Sequence, residues 1–483
     1  MKLLGFAPDA DPTILGVLTN CSAVIPTLKG FKSAPTAAST GFSAAGTVQG
    51  AATLYKLDLT TRFFVGTGKS LYEFNSSGST NIGRASTYTP TAVMRWRFAQ
   101  FGNVSLASNA NDTIQASTGA SFADISGAPK ADIIETVGQF VLAFNTTDAT
   151  NGNQQDRWYC CGIGDYTNWT PSIAAQCATG RLTSAPGPIV AAKKFGSACV
   201  AFKRNAAFLG QYVGPPVVWD WQQINGIAGC MSQESVVDVG TPENPKLVWM
   251  GPDNFWSYDG SKPVPIGTNR VKETVFNQLI QSRAYTCLAH HDRINSIVRF
   301  WYPSSDALWP DKCVVYNYRT DTWGQDDRQI QFVFDYVSPG ISYDAIGTYY
   351  TTYDSLTSNP YDLAFPSSAL AVPGVVDTSN NISTLTGGPT TSSITTGDLG
   401  DDETVTTIHR LRPRWLTAPT AATMTNYYKM NEGDSLTQDV TTTQASGKFD
   451  LLRSARWHRL QLNMTGSWEV AELPFVIDKD GNE

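Results

Sequence analysis

Charge is scarce in this sequence. Asp, Glu, Lys and Arg make up 16% of its 483 residues, against about 25% in an ordinary soluble protein. Long apolar runs are missing too; none approaches the roughly 18 residues a membrane-spanning helix requires, so a helical membrane protein is excluded. Histidine occurs four times, and there is no HExxH and no Cys-x-x-Cys, which removes the common zinc signatures. The eight cysteines (Cys21, Cys160, Cys161, Cys177, Cys199, Cys230, Cys287 and Cys313) are scattered through the chain. They read as reduced, mostly buried thiols rather than a disulfide framework. Met1-Lys2-Leu3-Leu4-Gly5-Phe6 begins like an export signal, but Pro8, Asp9 and Asp11 follow before an apolar region forms, so synthesis for use in a cytoplasm is the expectation. Helical periodicity is confined to residues 269–283, where Val271, Val275, Phe276 and Leu279 share a face and Thr268 is placed to cap the helix.

What the sequence has is apolar and aromatic material broken by turn formers. Hydrophobic residues reach 41% and aromatics 11%, with 40 Gly and 26 Pro; global disorder is excluded because ample apolar surface exists to bury. The apolar residues fall in short or alternating runs. Arg62-Phe63-Phe64-Val65 leads through a Gly-rich turn to Leu71-Tyr72-Glu73-Phe74. Leu247-Val248-Trp249-Met250 leads to Phe255-Trp256-Ser257-Tyr258, and Ile297-Val298-Arg299-Phe300-Trp301-Tyr302 leads to Val314-Val315-Tyr316-Asn317-Tyr318 and Trp323. Weaker units lie at 137–169 and 191–221. Each unit is a buried strand, a turn and an aromatic alternating strand. A lone hairpin cannot bury both faces, so units of about 35 to 50 residues must stack, as the blades of a β-propeller do. The expected fold is mostly β: a β-propeller of about five to seven blades over residues 46–366, with an extended arm at 1–45 and a small C-terminal β module at 408–483.

Residues 367–407 break the pattern. No Lys or Arg occurs between Arg328 and Arg410, and no aromatic between Phe365 and Trp415. Rich in Ser, Thr, Gly and Asp, this stretch is expected to be a long acidic loop or insertion, whose burial would not offset the entropy of ordering it.

No constellation in the chain reads as an enzyme, and neither a metal nor another cofactor is expected. Gly66-Thr67-Gly68-Lys69-Ser70 lacks the P-loop's first glycine, that place being Phe63, and its flanks read as strand–turn–strand. Cys287, His290, His291 and Cys313 supply only half of a zinc pattern. Cys160 and Cys161 are adjacent on a strand and must face opposite ways. Asp326-Asp327 and Asp401-Asp402 are neighbouring acids of the solvated kind, and no Gly-x-Ser-x-Gly elbow occurs. Two basic clusters remain. Arg410, Arg412 and Arg414 alternate and so share one strand face; Arg453, Arg456 and Arg459 surround Trp457. The functional reading is a strip that meets a partner, a second subunit or the wall of a DNA channel. The bland and favoured one is a solvated face, ion pairs with Asp401, Asp402 and Glu403, or subunit contacts. The net charge of −7 argues against a surface that grips nucleic acid throughout.

Residues 227–323 resemble the tail hub or nozzle proteins of short-tailed bacteriophages, also described as head-to-tail stabilisation or tail tubular proteins. The resemblance lies in an order of elements: Gly226-Ile227-Ala228-Gly229-Cys230, the hairpin from Val248 to Gly260, Pro263-Val264-Pro265-Ile266-Gly267, the single helix, then the hairpin from Asp292 to Trp323. Val218-Trp219-Asp220-Trp221 fits the preceding blade. About a third of the chain is covered; residues 1–45 and the acidic segment do not align. The resemblance implies a structural virion protein, made in the bacterial cytoplasm and placed in the tail, that forms a homohexameric ring below the portal and adaptor. It implies contacts with that adaptor-side ring and with tail fibre or needle proteins, and genome DNA passing the lumen without sequence-specific binding. Retaining and then releasing the genome would be its task, with no membrane span. In such a ring, built from chains of charge −7, a lumen of mildly negative surface would let DNA slide rather than stick. The alternative is a carbohydrate-binding or carbohydrate-cleaving propeller, tail-spike-like or kelch-type, with Tyr316, Trp323 and the other aromatics as sugar platforms; a weaker third is a DNA-gripping protein using the arginine clusters.

Overall fold

The computed structural model describes residues 1–58, 60–75, 78–226, 228–337 and 371–482. In the first of the alternating units, Val48–Tyr55, Thr61–Thr67, Leu71–Asn75 and Gly78–Asn81 pair in chain order as one antiparallel sheet. Gly66-Thr67-Gly68-Lys69-Ser70 is the end of one of these strands and the turn to the next. The same four-strand pattern repeats over residues 97–124, 130–181, 189–223, 236–265 and 288–325. A seventh sheet joins Phe332–Tyr336, Val372–Val376 and Asn381–Gly387 to Thr36–Ser43, taken from the other end of the chain. The first strand of each sheet lies against the first strand of the next, and that of the seventh against that of the first. The sheets therefore close into a seven-bladed β-propeller, the upper limit of the range read from the sequence.

The second strand of a blade is covered on both faces by neighbouring blades, so it is apolar throughout instead of alternating. Leu247–Met250 and Ile297–Tyr302 are buried at every position. Between blades one and two the Trp96 ring lies against Gly66: a Cβ there would sit 2.2 Å from the ring. The Trp96 indole N–H donates to the Thr67 carbonyl at 2.8 Å.

Three expectations are corrected. Residues 1–45 are not an arm reserved for another molecule. Gly5–Phe6 and Val17–Ser22 enter a second domain, Val24–Pro26 and Phe31–Ser33 extend blade six, and Thr36–Ser43 closes blade seven. Nor are the described residues of 367–407 a loop. They form Val372–Val376, Asn381–Gly387, Thr391–Thr396 and Leu399–Gly400, with Ile382, Leu385 and Ile394 buried; Thr is β-branched and suits a pleated strand, so Ser/Thr richness alone did not mean disorder. Residues 367–370 of that stretch lie outside the described residues. The helix is shorter than expected, Lys272–Gln278, followed by a 3-10 segment Gln281–Thr286. Its cap is not Thr268. The Asp9 carboxylate accepts the backbone N–H groups of Glu273 (2.6 Å) and Thr274 (2.9 Å), satisfying donors that a helix start leaves open. Val271, Val275 and Leu279 are buried as the spacing implied, with Phe276 packed beside them.

The second domain is a β-sandwich. One sheet runs Gly5–Phe6, Val17–Ser22, Thr391–Thr396, Trp457–Thr465 and Ala421–Lys429; the other holds Phe449–Ala455, Thr404–Leu411 and Phe475–Asn482. Ile394, Ile408, Leu411, Met424, Phe449, Leu460 and Leu462 fill the space between. The sandwich does not float beside the propeller. Blade six continues through Val24–Pro26, Phe31–Ser33, Glu469–Glu472 and Arg414–Thr417 as one eight-stranded sheet. At this seam Trp468 is buried, its indole N–H donating to Ser392 Oγ (2.6 Å) and its backbone N–H to Ser33 Oγ (3.2 Å). Trp468→Ala should lower the unfolding free energy by about 3–5 kcal/mol, measured by urea denaturation. A cost under about 1 kcal/mol would show that the seam does not couple the two domains.

Candidate functional site

The nine sequence-identified residues divide by environment. Arg410, Arg412 and Arg414 are exposed, but they do not share the one strand face expected of them: the strand breaks after Leu411, so Arg410 ends Thr404–Leu411 of the sandwich, Arg412 lies between strands, and Arg414 opens Arg414–Thr417 at the end of the blade-six sheet. Among the described residues, Arg414 of the three approaches an acid, Glu472, at 3.8 Å. The acids expected to pair with them do other work. Asp401 accepts the backbone N–H groups of Glu403 and Thr404 and shapes the turn, and Asp402 accepts the Trp457 indole N–H at 2.6 Å; Glu403 is exposed on that turn. The second arginine cluster is structural. Arg453 makes two 2.8 Å bonds to Asp439 and stacks on Tyr428, Arg456 donates to Asn431, and Arg459 bonds the buried Asp398 at 2.7 Å. The structure thus does not bring the two clusters into one site. Exposed Leu452 and Val476 flank Arg410, whose register partners are Asp450 and Val476.

Other candidates are dispersed by the blade geometry. His290 and His291 point to opposite faces of the inner strand Leu288–Asp292. His290 meets Asp335 of blade seven (2.9 Å) and His291 meets the Tyr318 hydroxyl (3.0 Å). Burial, reinforced by Arg293, lowers the His291 pKa to about 4. All eight cysteines are unpaired and buried, and among the described residues no three His, Cys, Asp or Glu side chains converge to hold a metal ion. Tyr316 and Trp323, proposed as sugar platforms, are buried against each other with ring centroids 4.8 Å apart, so neither can stack on a ligand. Among the described residues no helix is long and apolar enough to cross a membrane.

Two features escaped the sequence because they join distant residues. The first lies on the propeller axis. Arg97, on the first strand of blade two, forms an ion pair with Glu234, just before blade five, at 3.1 Å, and reaches Asp132 of blade three at 3.3 Å. In a ring of seven these blades lie on opposite sides, so the pair spans the passage. Arg95 stacks over Tyr285, which precedes blade six, at 5.1 Å and spans it again. The second is a groove of about 400 Å³ beneath blades five and six and the seam, lined by Leu4, Ile14, Leu28, Phe31 and Arg270 among others. Its wall is the Arg270–Asp321 ion pair (2.9 Å), which also borders a polar cleft of about 460 Å³ with Lys246, Asp259 and Tyr316. A concave apolar surface edged by a few polar groups is the usual form of a binding site.

No family model and no curated protein matches the chain. Among solved structures it is similar to a chain described as "YCF48 bound to D1 peptide", at 12% identity over 65% of this chain and 93% of that one, with a TM-score of 0.39. So low a score carries no argument; the propeller rests on the strand pairings above.

Two predictions follow from these environments. Replacing Arg410, Arg412 and Arg414 together by Ala should change stability by no more than about 0.5 kcal/mol per site. Arg459→Ala leaves the buried Asp398 with Lys429, 3.4 Å away, as its one ion-pair partner among the described residues, and should cost about 1–3 kcal/mol; urea denaturation separates the two cases, and equal costs would contradict the assignment. For His291, the unfolded chain takes up a proton near pH 6.5 while the folded one resists until about pH 4. Its contribution is complete above pH 6.5 and is lost as the pH falls toward 4, on the order of 3 kcal/mol. His291→Gln should flatten the stability profile across that window; an unchanged slope would show that His291 is not the group responsible.

Proposed function

We propose that this chain is a structural subunit of a bacteriophage tail hub or nozzle, a ring of identical copies that extends the DNA passage below the portal and adaptor and helps to retain and release the genome. The observation that carries the reading is the order of elements from Val248 to Trp323: hairpin, Pro-rich crossing, single helix, hairpin. In the fold these become blade five, the helix capped by Asp9, and blade six, the blade that runs on into the sandwich. The region of resemblance is therefore the joint of the molecule rather than one interchangeable blade. A low density of charge and abundant aromatics also suit large permanent interfaces, whose cores lose charged residues.

The fold constrains how such a ring would work. The propeller's own axis is bridged by Arg97–Glu234 and Arg95–Tyr285, so DNA would pass along the axis of the assembled ring and not through the blades of a subunit. The chain then acts as a wall element and catalyses nothing. Its partners are further copies of itself, the adaptor-side ring above and fibre or needle proteins at its margin, and its place is the virion tail.

Light scattering coupled to size exclusion, with negative-stain images of the same fractions, tests this. A mass near six subunits with ring-shaped views is expected for the protein alone or with its adaptor ring. A strictly monomeric particle under every assembly condition, from recombinant and virion-derived material alike, would overturn the proposal.

A further inference from the structure

Two parts of the surface expose apolar side chains and have matching chemistry. One is the tip of the hairpin between Ala207–Gly214 and Val218–Gln223 in blade four, Tyr212-Val213-Gly214-Pro215-Pro216-Val217. Gly214-Pro215-Pro216 is ordinary turn chemistry, but the valines on either side of it stand in solvent, Val213 at 54% and Val217 at 55% exposure, with both prolines and Tyr212 also exposed. It is held in shape at a cost. Val218, β-branched, sits at φ +68°, a conformation such residues avoid. Its pairing with Gly214 and the bond from the Trp219 N–H to the Val217 carbonyl (2.9 Å) keep it there.

The other is the groove under the seam. Leu28 is 61% exposed at the head of a turn fixed by the Thr27 N–H to the Gly30 carbonyl (2.8 Å) and by Thr27 Oγ1, which accepts the Gly30 N–H and donates to Glu469. Ile14 stands on a turn closed by its N–H to the Asp11 carbonyl, and Leu4 is anchored by its N–H to the Gly16 carbonyl (2.7 Å). These apolar side chains are presented by rigid backbone and are not frayed ends. Lys2 and Lys29, both exposed, stand at the rim. The charged residue nearest the hairpin tip along the chain is Asp220, of opposite sign.

We propose that the blade-four hairpin tip of one copy seats in the groove of the next, Val213 and Val217 meeting Leu4, Ile14 and Leu28 while Asp220 faces Lys2 and Lys29. The two surfaces belong to different parts of the chain, so the contact is heterologous, and repeating it produces a closed ring or an open filament, never a two-fold dimer. The inference rests on the ring reading above and names the surfaces that would build it.

Since the native cysteines are buried, introduced surface thiols report the contact alone. The double variant Val213→Cys/Leu28→Cys, oxidised gently, should give a ladder of linked species on a non-reducing gel, whereas each single variant should stay one chain wide. Val213→Asp and Leu28→Asp should each abolish assembly while leaving the unfolding temperature unchanged, since both positions are exposed. If the wild type forms rings but no ladder appears, or if either Asp variant still forms them, this contact is wrong and the hub reading stands. If the wild type stays monomeric in all conditions and no ladder forms, both fall.

Discussion

A β-sheet with an open edge exposes unpaired N–H and C=O groups that invite another chain, and that constraint organises this molecule. Seven blades dispose of their inner edges by meeting around an axis, but the ring must still be fastened where the chain's two directions meet. Thr36–Ser43 supplies the fastening as the outer strand of blade seven, paired with Asn381–Gly387. The strand that follows it in sequence, Val48–Tyr55, is the innermost strand of blade one. One short segment therefore ends the last blade and leads directly into the first. Opening the ring requires these pairings to break together with the contact between the inner strands of blades seven and one, which makes closure a shared and cooperative property.

The same economy explains why the sandwich is bound to the propeller. Blade six does not end at its fourth strand: Gln325 pairs with Val24, and the sheet runs on to Arg414–Thr417. Phe31, Trp323, Val470 and Trp468 belong to one continuous core with Phe255 and Phe300 of blades five and six. Asp9 then caps a helix that lies 264 positions later in sequence. Motion of the sandwich against the propeller would expose apolar area worth roughly 25 cal/mol per Å², and would also strip the helix of its cap. The two domains move as one body to the extent that this core stays closed.

How much of this the sequence disclosed follows from the range of the interactions. Hairpins whose strands are adjacent and aromatic, such as Leu247–Met250 with Phe255–Tyr258, could be read directly, because turn, alternation and partner lie within a dozen residues. The N-terminal strands could not, since each is two to eight residues long and the pairings that join them to the rest of the fold, such as Val17–Ser22 with Thr391–Thr396 and Thr36–Ser43 with Asn381–Gly387, lie hundreds of positions away. The Ser/Thr-rich strands were misjudged for a different reason. Thr391–Thr396 buries Ser392, Ile394 and Thr396 in strict alternation, so the period of two was present, but composition was allowed to outweigh it. The arginines show the same limit. Arg410, Arg412 and Arg414 are exposed, but the break after Leu411 puts Arg410 and Arg414 on strands of different sheets, so alternation did not give them one face, while nothing local revealed that Asp439 and Asp398 hold Arg453 and Arg459. The Arg97–Glu234 bridge, between residues of opposite blades, had no local signal at all.

That bridge bears on the architecture any assembly of these chains must adopt. A propeller with an open axis offers a tunnel within each subunit; one whose axis is crossed by an ion pair with both side chains about one-tenth exposed does not. Whatever passes through such an assembly has to pass between subunits. The apolar hairpin tip and groove are formed by different residues of the chain, and a contact between them from copy to copy would propagate by rotation. Whether the rotation closes is set by the angle between knob and groove, and rigid turns at both ends, with the core that welds propeller to sandwich, are what would hold that angle constant from copy to copy. In this molecule the fastening of blade seven and the seam at blade six are thus conditions for symmetry as well as for stability.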